Sequence, residues 1–328
     1  MILRSLAGVL LATLLCAAEP VRLIFDTDMG NDVDDALALA VLHALESRGE
    51  AKLLAVTLSK DNRYAAPYVN LVNTFYGRPN IPVGAVINGK TPEDSAMIKV
   101  PAERRRPDGR FVYPHELQDG RTAPDAVRIL RRALAETPDG SAVVVVVGFS
   151  TNLARLLDST PDAASRLPGA QLVAKKVRLL SAMAGHFPTG NPEYNVKTDI
   201  PAARKVFAEW PSPIVCSGYE IGEALKFPAA SIENDFAWVP DHPVAEAYRN
   251  YMKMPYDRPT WDLTAALYAV RPSRDYFGLS EPGRVTVDDD GRTVFTPAPD
   301  GKHRYLILQE AQKARTLEAL ILLASQPR

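Results

Sequence analysis

Five aspartates fall within ten residues near the start of the chain: Asp26, Asp28, Asp32, Asp34 and Asp35, with no Lys or Arg among them. The run before them, Val21 to Phe25, is β-branched and aromatic. The run after them, Ala36 to Ser47, is apolar almost throughout and stops at Gly49. This pattern predicts a buried strand, a loop, and a helix with acid at its N-terminal end. Carboxylates crowded at the end of a buried strand repel one another and hold their protons more tightly unless something positive sits among them. The helix N-terminus offers only about half a positive charge. A hard divalent cation is the better partner, and an all-oxygen donor set with no nearby His or Cys favours Ca²⁺ or Mg²⁺ over Zn²⁺. The bland alternative is a solvated acidic turn, and the apolar segments on both sides speak against it.

The elements that must position this cluster follow from the apolar pattern. Leu53 to Leu58 is a short apolar run followed by a helix-like stretch from Ala65 to Tyr76, and Ile81 to Val83 begins a third strand. Val143 to Val147 is five valines ending at Gly148, with a helical Asn152 to Leu157 behind it; Val177 to Met183 and Ile214 to Cys216 extend the rhythm. Strands that are continuously apolar rather than alternating are covered on both faces. The predicted fold is therefore a single α/β domain with an open, mostly parallel sheet covered by helices, and ligands in such folds sit beyond the carboxyl ends of the strands. Two regions break the rhythm. Pro101 to Pro124, with Arg104, Arg105 and Arg106, reads as a solvated loop. Arg284 to Phe295 alternates around Asp288-Asp289-Asp290-Gly291, which predicts a small C-terminal β-hairpin with an Asp-Gly turn. Leu306 to Ala324 is expected to be a closing helix.

Composition bounds the function class. In 328 residues, 46% hydrophobic and 23% charged, Lys+Arg number 38 and Asp+Glu 39, for a net charge of −1. That balance argues against a nucleic-acid or anionic-membrane binder, which needs a basic excess or stripe. At the N-terminus, Arg4 precedes a nearly unbroken apolar run from Leu6 to Leu15, too short for a bilayer span of about 20 residues. Cys16-Ala17-Ala18 offers small residues for cleavage, so residues 1–18 are expected to be a signal peptide and 19–328 the folded domain, exported to a periplasmic or extracellular space. Cys216 is then the one remaining cysteine, expected as a buried thiol. No later stretch approaches membrane-spanning length, and no repeat of fixed period is found.

The segment Asp26-Thr27-Asp28-Met29-Gly30-Asn31-Asp32-Val33-Asp34-Asp35-Ala36-Leu37-Ala38-Leu39 resembles the N-terminal signature of the inosine-uridine type nucleoside hydrolases. The family loop is two residues shorter between its second Asp and its Asp pair, which leaves Asp32 as the inserted acid. The resemblance continues along nearly the whole chain. Gly148-Phe149-Ser150-Thr151-Asn152-Leu153-Ala154 looks like the family's Gly-x-x-Thr-Asn-x-Ala turn. Met183-Ala184-Gly185, then Gly190-Asn191 and Glu193-Tyr194-Asn195, resembles its ribose-binding segment, about four residues shorter here. Asp199-Ile200-Pro201-Ala202-Ala203 resembles the motif that follows. Trp261-Asp262 stands where the family has a late His-Asp or Trp-Asp pair, and Asn62 resembles a ribose-contacting Asn.

The resemblance implies a calcium-dependent cleavage of the N-glycosidic bond of ribonucleosides through an oxocarbenium-like transition state. It implies that Asp28, Asp35, Asp262 and the Thr151 carbonyl hold Ca²⁺, and that Asp28 also takes the proton of the attacking water. Asp34, Asn62, Asn191, Glu193 and Asn195 would grip the ribose, and Trp261 would offer its face to the base, which favours purine ribosides. The partner so implied is a small nucleoside, with a homodimer or homotetramer as the assembly. His115 and His186 are further candidates for reaching the base. Two rival readings use fewer of these positions. One is a non-catalytic, calcium-dependent nucleoside binder. The other is a haloacid-dehalogenase-like phosphatase, which Asp26-Thr27-Asp28 also resembles and which leaves Asp34, Asp35 and Asp262 without roles.

Overall fold

Strand β1 (Val21–Thr27) runs parallel between β2 (Ala51–Lys60) on one side and β4 (Ala142–Val146) on the other, in a computed structural model that describes residues 19–327. The expected signal peptide, residues 1–18, lies outside the described residues. Beyond β2 the sheet continues to β3 (Val83–Lys90), and beyond β4 to β5 (Val177–Met183) and β6 (Ile214–Ser217), all parallel. A short pair, β7 (Lys226–Phe227) with β8 (Arg258–Pro259), stands apart from this sheet. The remaining strands are β9 (Gly278–Leu279), β10 (Gly283–Val287), β11 (Thr293–Pro297) and β12 (His303–Ile307). β12 adds to β6 in parallel, and β9, β10 and β11 complete a ten-stranded sheet through antiparallel pairings.

The sequence reading of a single α/β domain with a mostly parallel sheet holds. All five residues of β4 are buried, because helices cover both of its faces. The helix Asp34–Ser47 is buried from Asp34 to Leu45 and packs against the helices Trp261–Val270 and Glu310–Ala324, which is why its sequence shows no polar face. The predicted hairpin forms from β10 and β11, with Gly291 at φ +86° in the turn. The closing helix is shorter than expected. Residues 303–307 form β12, and the helix starts at Glu310 behind a reciprocal Gln309–Gln312 capping box. A short apolar run alone does not distinguish strand from helix. In the expected loop 101–124, Pro101 to Glu103 instead end the helix Ala96–Glu103, and Gly120–Thr122 forms a 3₁₀ turn. Among the described residues no helix is long and apolar enough to cross a membrane.

From β1 the chain steps outward through β2 and β3, then returns to the other side of β1 and steps the opposite way through β4, β5 and β6. The strand order therefore reverses between β1 and β4. Past the carboxyl ends of such a pair the connections diverge and leave a crevice. The acid loop leaves β1 at this point, and Gly148 follows β4 there. A Cβ on Gly148 would stand 2.5 Å from the Asp28 nitrogen and 2.4 Å from Ser59 Oγ, so only glycine allows the two loops to approach this closely.

Candidate functional site

The crevice is a cavity of about 350 Å³ whose lining includes Asp28, Asp32, Asp34, Asp35, Glu193, Asn195, Trp261 and Asp262. β1 ends at Thr27, and Gly30 at φ +112° turns the chain so that Asp28 faces the same space as the start of the next helix. At this φ any side chain would be strained, so this turn also requires glycine. Asp34 and Asp35 are the first residues of the helix Asp34–Ser47, with the positive end of its dipole behind them. Asp262 comes from the far end of the chain, as the second residue of the helix Trp261–Val270, and its amide donates to Asp34 Oδ2 at 3.0 Å.

Carboxylate oxygens of Asp34, Asp35 and Asp262 lie within 4.8 Å of one another, and all three residues are buried. Asp35 accepts a hydrogen bond from the Thr27 hydroxyl on Oδ1, while its Oδ2 is buried with no hydrogen-bond partner. Burial, and then the neighbouring carboxylates, push all three acids well above the ordinary carboxylate range. Asp28 lines the same cavity outside this closest group. Burial raises it to about 6, against the Asn31 amide, which donates to its Oδ2 at 2.7 Å. An orphaned oxygen among three crowded acids, all hard donors, is what an oxygen-loving divalent cation would satisfy, so these residues fit a metal.

Two cations that the sequence reading did not find partly compensate the cluster. Lys60, buried at the end of β2, donates from Nζ to Asn31 Oδ1 at 2.7 Å and to the Thr91 carbonyl at 2.6 Å. It supports Asp28 through Asn31. Arg258, on β8, pairs with Asp32 through both carboxylate oxygens. The only sequence signal for Arg258 was the unexplained acid Asp32, which required something positive. Lys60 had a fainter one, as a charge closing an otherwise apolar strand.

On another wall of the cavity, Glu193 caps the helix Tyr194–Thr198 by accepting the amides of Asn195 and Val196, and burial raises it to about 7. Asn195 donates its side-chain amide to the carbonyls of Val147 (2.8 Å) and Met183 (3.2 Å), which ties the ends of β4 and β5 together. Trp261 lies on the cavity wall with Tyr194, Tyr219 and Tyr251, its Nε1 donating to the Tyr219 carbonyl at 2.9 Å.

Three expected site residues lie elsewhere. Thr151 opens the helix Thr151–Asp158, donates its hydroxyl to Asp199 at 2.5 Å and lines a separate cleft. The carbonyl of a first helical residue points along the helix, away from its N-terminal end, so Thr151 is not placed to serve a cation here. Val147 is the residue that this strand end puts on the cavity wall. Asn62 is buried beside the site, but its amide holds the 92–94 loop through Pro92, Glu93 and Asp94, and its carbonyl accepts the Tyr64 amide. Asn191 is exposed and outside the cavity lining, where the shortened segment leaves it. His115 packs on Phe111, and His186 lies 5.3 Å from the Tyr219 ring, neither on the cavity wall. Asp26 belongs to the frame: wholly buried, it accepts from Thr57 and Asn152 and so joins β1, β2 and the helix after β4.

Residues 23–319 match the family model of the inosine-uridine preferring nucleoside hydrolases. No curated protein matches the sequence. Among solved structures, the chain is similar to a plant nucleoside hydrolase (TM-score 0.67, 20% identity, covering 94% of this chain and 100% of that one). It is also similar to an inosine-uridine preferring nucleoside hydrolase from Bacillus anthracis (TM-score 0.68, 18% identity, 93% and 99% covered). An inosine-guanosine nucleoside hydrolase gives TM-score 0.70 at 18% identity, with 94% and 99% covered. At these identities the structural likeness is one of fold.

Proposed function

This chain belongs to the inosine-uridine preferring nucleoside hydrolase family, an N-glycosidase of ribonucleosides, and from that premise we propose that it releases the base of purine ribonucleosides with Ca²⁺ at its acid cluster. The observation that carries this reading is the buried group Asp34, Asp35 and Asp262 with the unpartnered Asp35 Oδ2, set in one cavity with an aromatic wall. Asp35 and Asp262 would hold the cation with Asp28, and the Val147 carbonyl, rather than that of Thr151, would be the main-chain donor. Calcium bound there supplies positive charge that orients the attacking water and the ribose hydroxyls.

The chain's own residues do the rest. Asp28, on the cavity wall with its Oδ2 held by the Asn31 amide, takes the proton of the water that attacks C1′. Asp34 keeps one oxygen on the Asp262 amide and offers the other to a ribose hydroxyl. Carboxylates accept hydrogen bonds and donate none, so this floor selects the hydroxyl-rich sugar. Deoxyribose would leave a buried acceptor unpaired.

The aromatic wall sets the base preference. A bicyclic purine covers more of Trp261 and its tyrosine neighbours than a pyrimidine does. Inosine should therefore exceed uridine in kcat/KM, and Trp261→Ala should narrow that ratio by about two- to tenfold, in line with the ~0.5–1.5 kcal/mol carried by an aromatic pair. Base release from both substrates, with and without a calcium chelator, measures it. A wild type that prefers uridine, or a variant that loses both activities equally, overturns the stacking role.

The same reading includes export. The charged Arg4, the apolar run to Leu15 and the small residues Ala17 and Ala18 support cleavage before Glu19. N-terminal sequencing of the protein from a secreting host should begin at Glu19. An intact Met1 in the exported fraction would contradict it.

A further inference from the structure

Asp32 is the acid for which the resemblance to the family leaves no role, and in the fold it pairs with a cation, Arg258. The Arg258 Nε donates to Asp32 Oδ1 at 2.9 Å, and Nη2 bonds the other carboxylate oxygen and, at 3.2 Å, the Tyr251 hydroxyl. The guanidinium carbon lies 5.1 Å from the ring centroids of both Tyr251 and Trp261. The backbone beneath is held by the β7–β8 pairing, Phe227 opposite Arg258. A two-point carboxylate fork and two aromatic faces fix a guanidinium in direction as well as in place. The third nitrogen, Nη1, has no hydrogen-bond acceptor among the described residues, on a side chain that lines the cavity and is 20% exposed.

The position relative to the substrate follows from charge. The carboxylate floor takes the sugar, so the base lies against the aromatic and cationic side of the cavity. As the C1′–N bond breaks, its electron pair passes to the base nitrogen. The water oxygen bonds C1′ and gives its proton to Asp28. The departing base thus gains negative charge, and Trp261, whose indole releases no proton near neutral pH, cannot relieve it by acid catalysis. The geometry points to Arg258, positioned by Asp32, as the group that does: Nη1 donates a hydrogen bond to an acceptor atom of the leaving purine as its charge develops. Arg258 keeps its proton throughout, and the released base is protonated by solvent. Asp32 is a positioning residue in this account, and the inference rests on the purine riboside reading above.

The test compares two leaving groups on the calcium-loaded protein: inosine, and p-nitrophenyl β-riboside, whose nitrophenolate departs as a stable anion without help. Arg258→Ala should lower kcat for inosine about 10²-fold, as removal of one charge-stabilising donor does, and for the nitrophenyl riboside by less than about tenfold. Because Arg258→Ala leaves Asp32 uncompensated, the neutral double variant Asp32→Asn with Arg258→Ala is measured beside it and should show the same split. Parallel losses on both substrates in the double variant, or no loss on inosine, overturn the role of Arg258. A wild type inactive on both ribosides overturns instead the riboside reading on which it rests.

Discussion

Asp28→Asn should lower kcat for inosine by about 10²–10⁴-fold, the range of a lost general base, while the fold persists. The substitution keeps the shape of the side chain and its place beside Asn31 but replaces a basic carboxylate with an amide that does not take the water's proton. Asp28 is placed for this task on the cavity wall beside the acid group, with the Asn31 amide holding its Oδ2. Lys60 supports that placement through Asn31, at 2.7 Å on each link. The change also removes one negative charge from a cation site, so bound calcium is measured in the same sample by elemental analysis. A variant with full calcium and near-normal kcat removes Asp28 from the role of base.

The second large effect concerns the cation and its dependence on pH. Asp34, Asp35 and Asp262 are raised well above their ordinary values, Asp28 to about 6 and Glu193 to about 7, in each case by burial first. An acid whose pKa is higher folded than unfolded binds more protons in the folded state. Metal-free stability contributed by these groups is therefore full below about pH 4, where both states are protonated, and the part due to Asp28 and Glu193 declines as pH rises through about 6 to 7. A divalent cation removes that penalty, because it favours the ionised form. Saturating calcium should raise Tm by several degrees at about pH 7.5 and by clearly less at about pH 5. Asp35→Ala should abolish the calcium response at both pH values, together with activity on inosine, since it deletes the carboxylate with the orphaned oxygen. Differential scanning calorimetry with and without calcium reads both. An equal shift at the two pH values, or an Asp35→Ala protein that binds and responds to calcium as the wild type does, removes Asp35 from the site.

Much of the site's frame was legible in the order of residues. Asp28, Asp34 and Asp35 are neighbours in sequence, and a strand–loop–helix pattern read from apolar runs places their side chains together without further information. The reach of Glu193 and Asn195 into the same cavity was legible through the resemblance of their segment. The misplacement of Thr151 has a local cause. A strand-to-helix turn puts several backbone carbonyls within a few residues, and only the start of the helix at Thr151 decides that its carbonyl points away while Val147 lines the wall. Asn62 shows the same limit in a side chain. Its position after β2 suggested a ligand contact, but the 92–94 loop folds back onto it and takes its amide.

What the sequence determined by itself is the part of the protein governed by short-range pattern: the strand and helix types, the parallel sheet, the hairpin, and an acid cluster too dense to lie uncompensated at the end of a buried strand. What only the tertiary structure decided is the company that cluster keeps. Asp262 joins it from 228 positions along the chain, and Arg258 from 226, to pair with Asp32. Lys60 enters from the neighbouring strand through Asn31, and Trp261 shares the cavity wall with tyrosines of three other segments. Electrostatic and aromatic contacts act over a few ångströms in space whatever their separation along the chain. Their partners are therefore set by how the strands β1 and β4 diverge and by which helices pack above them, and neither is encoded in any single stretch of sequence.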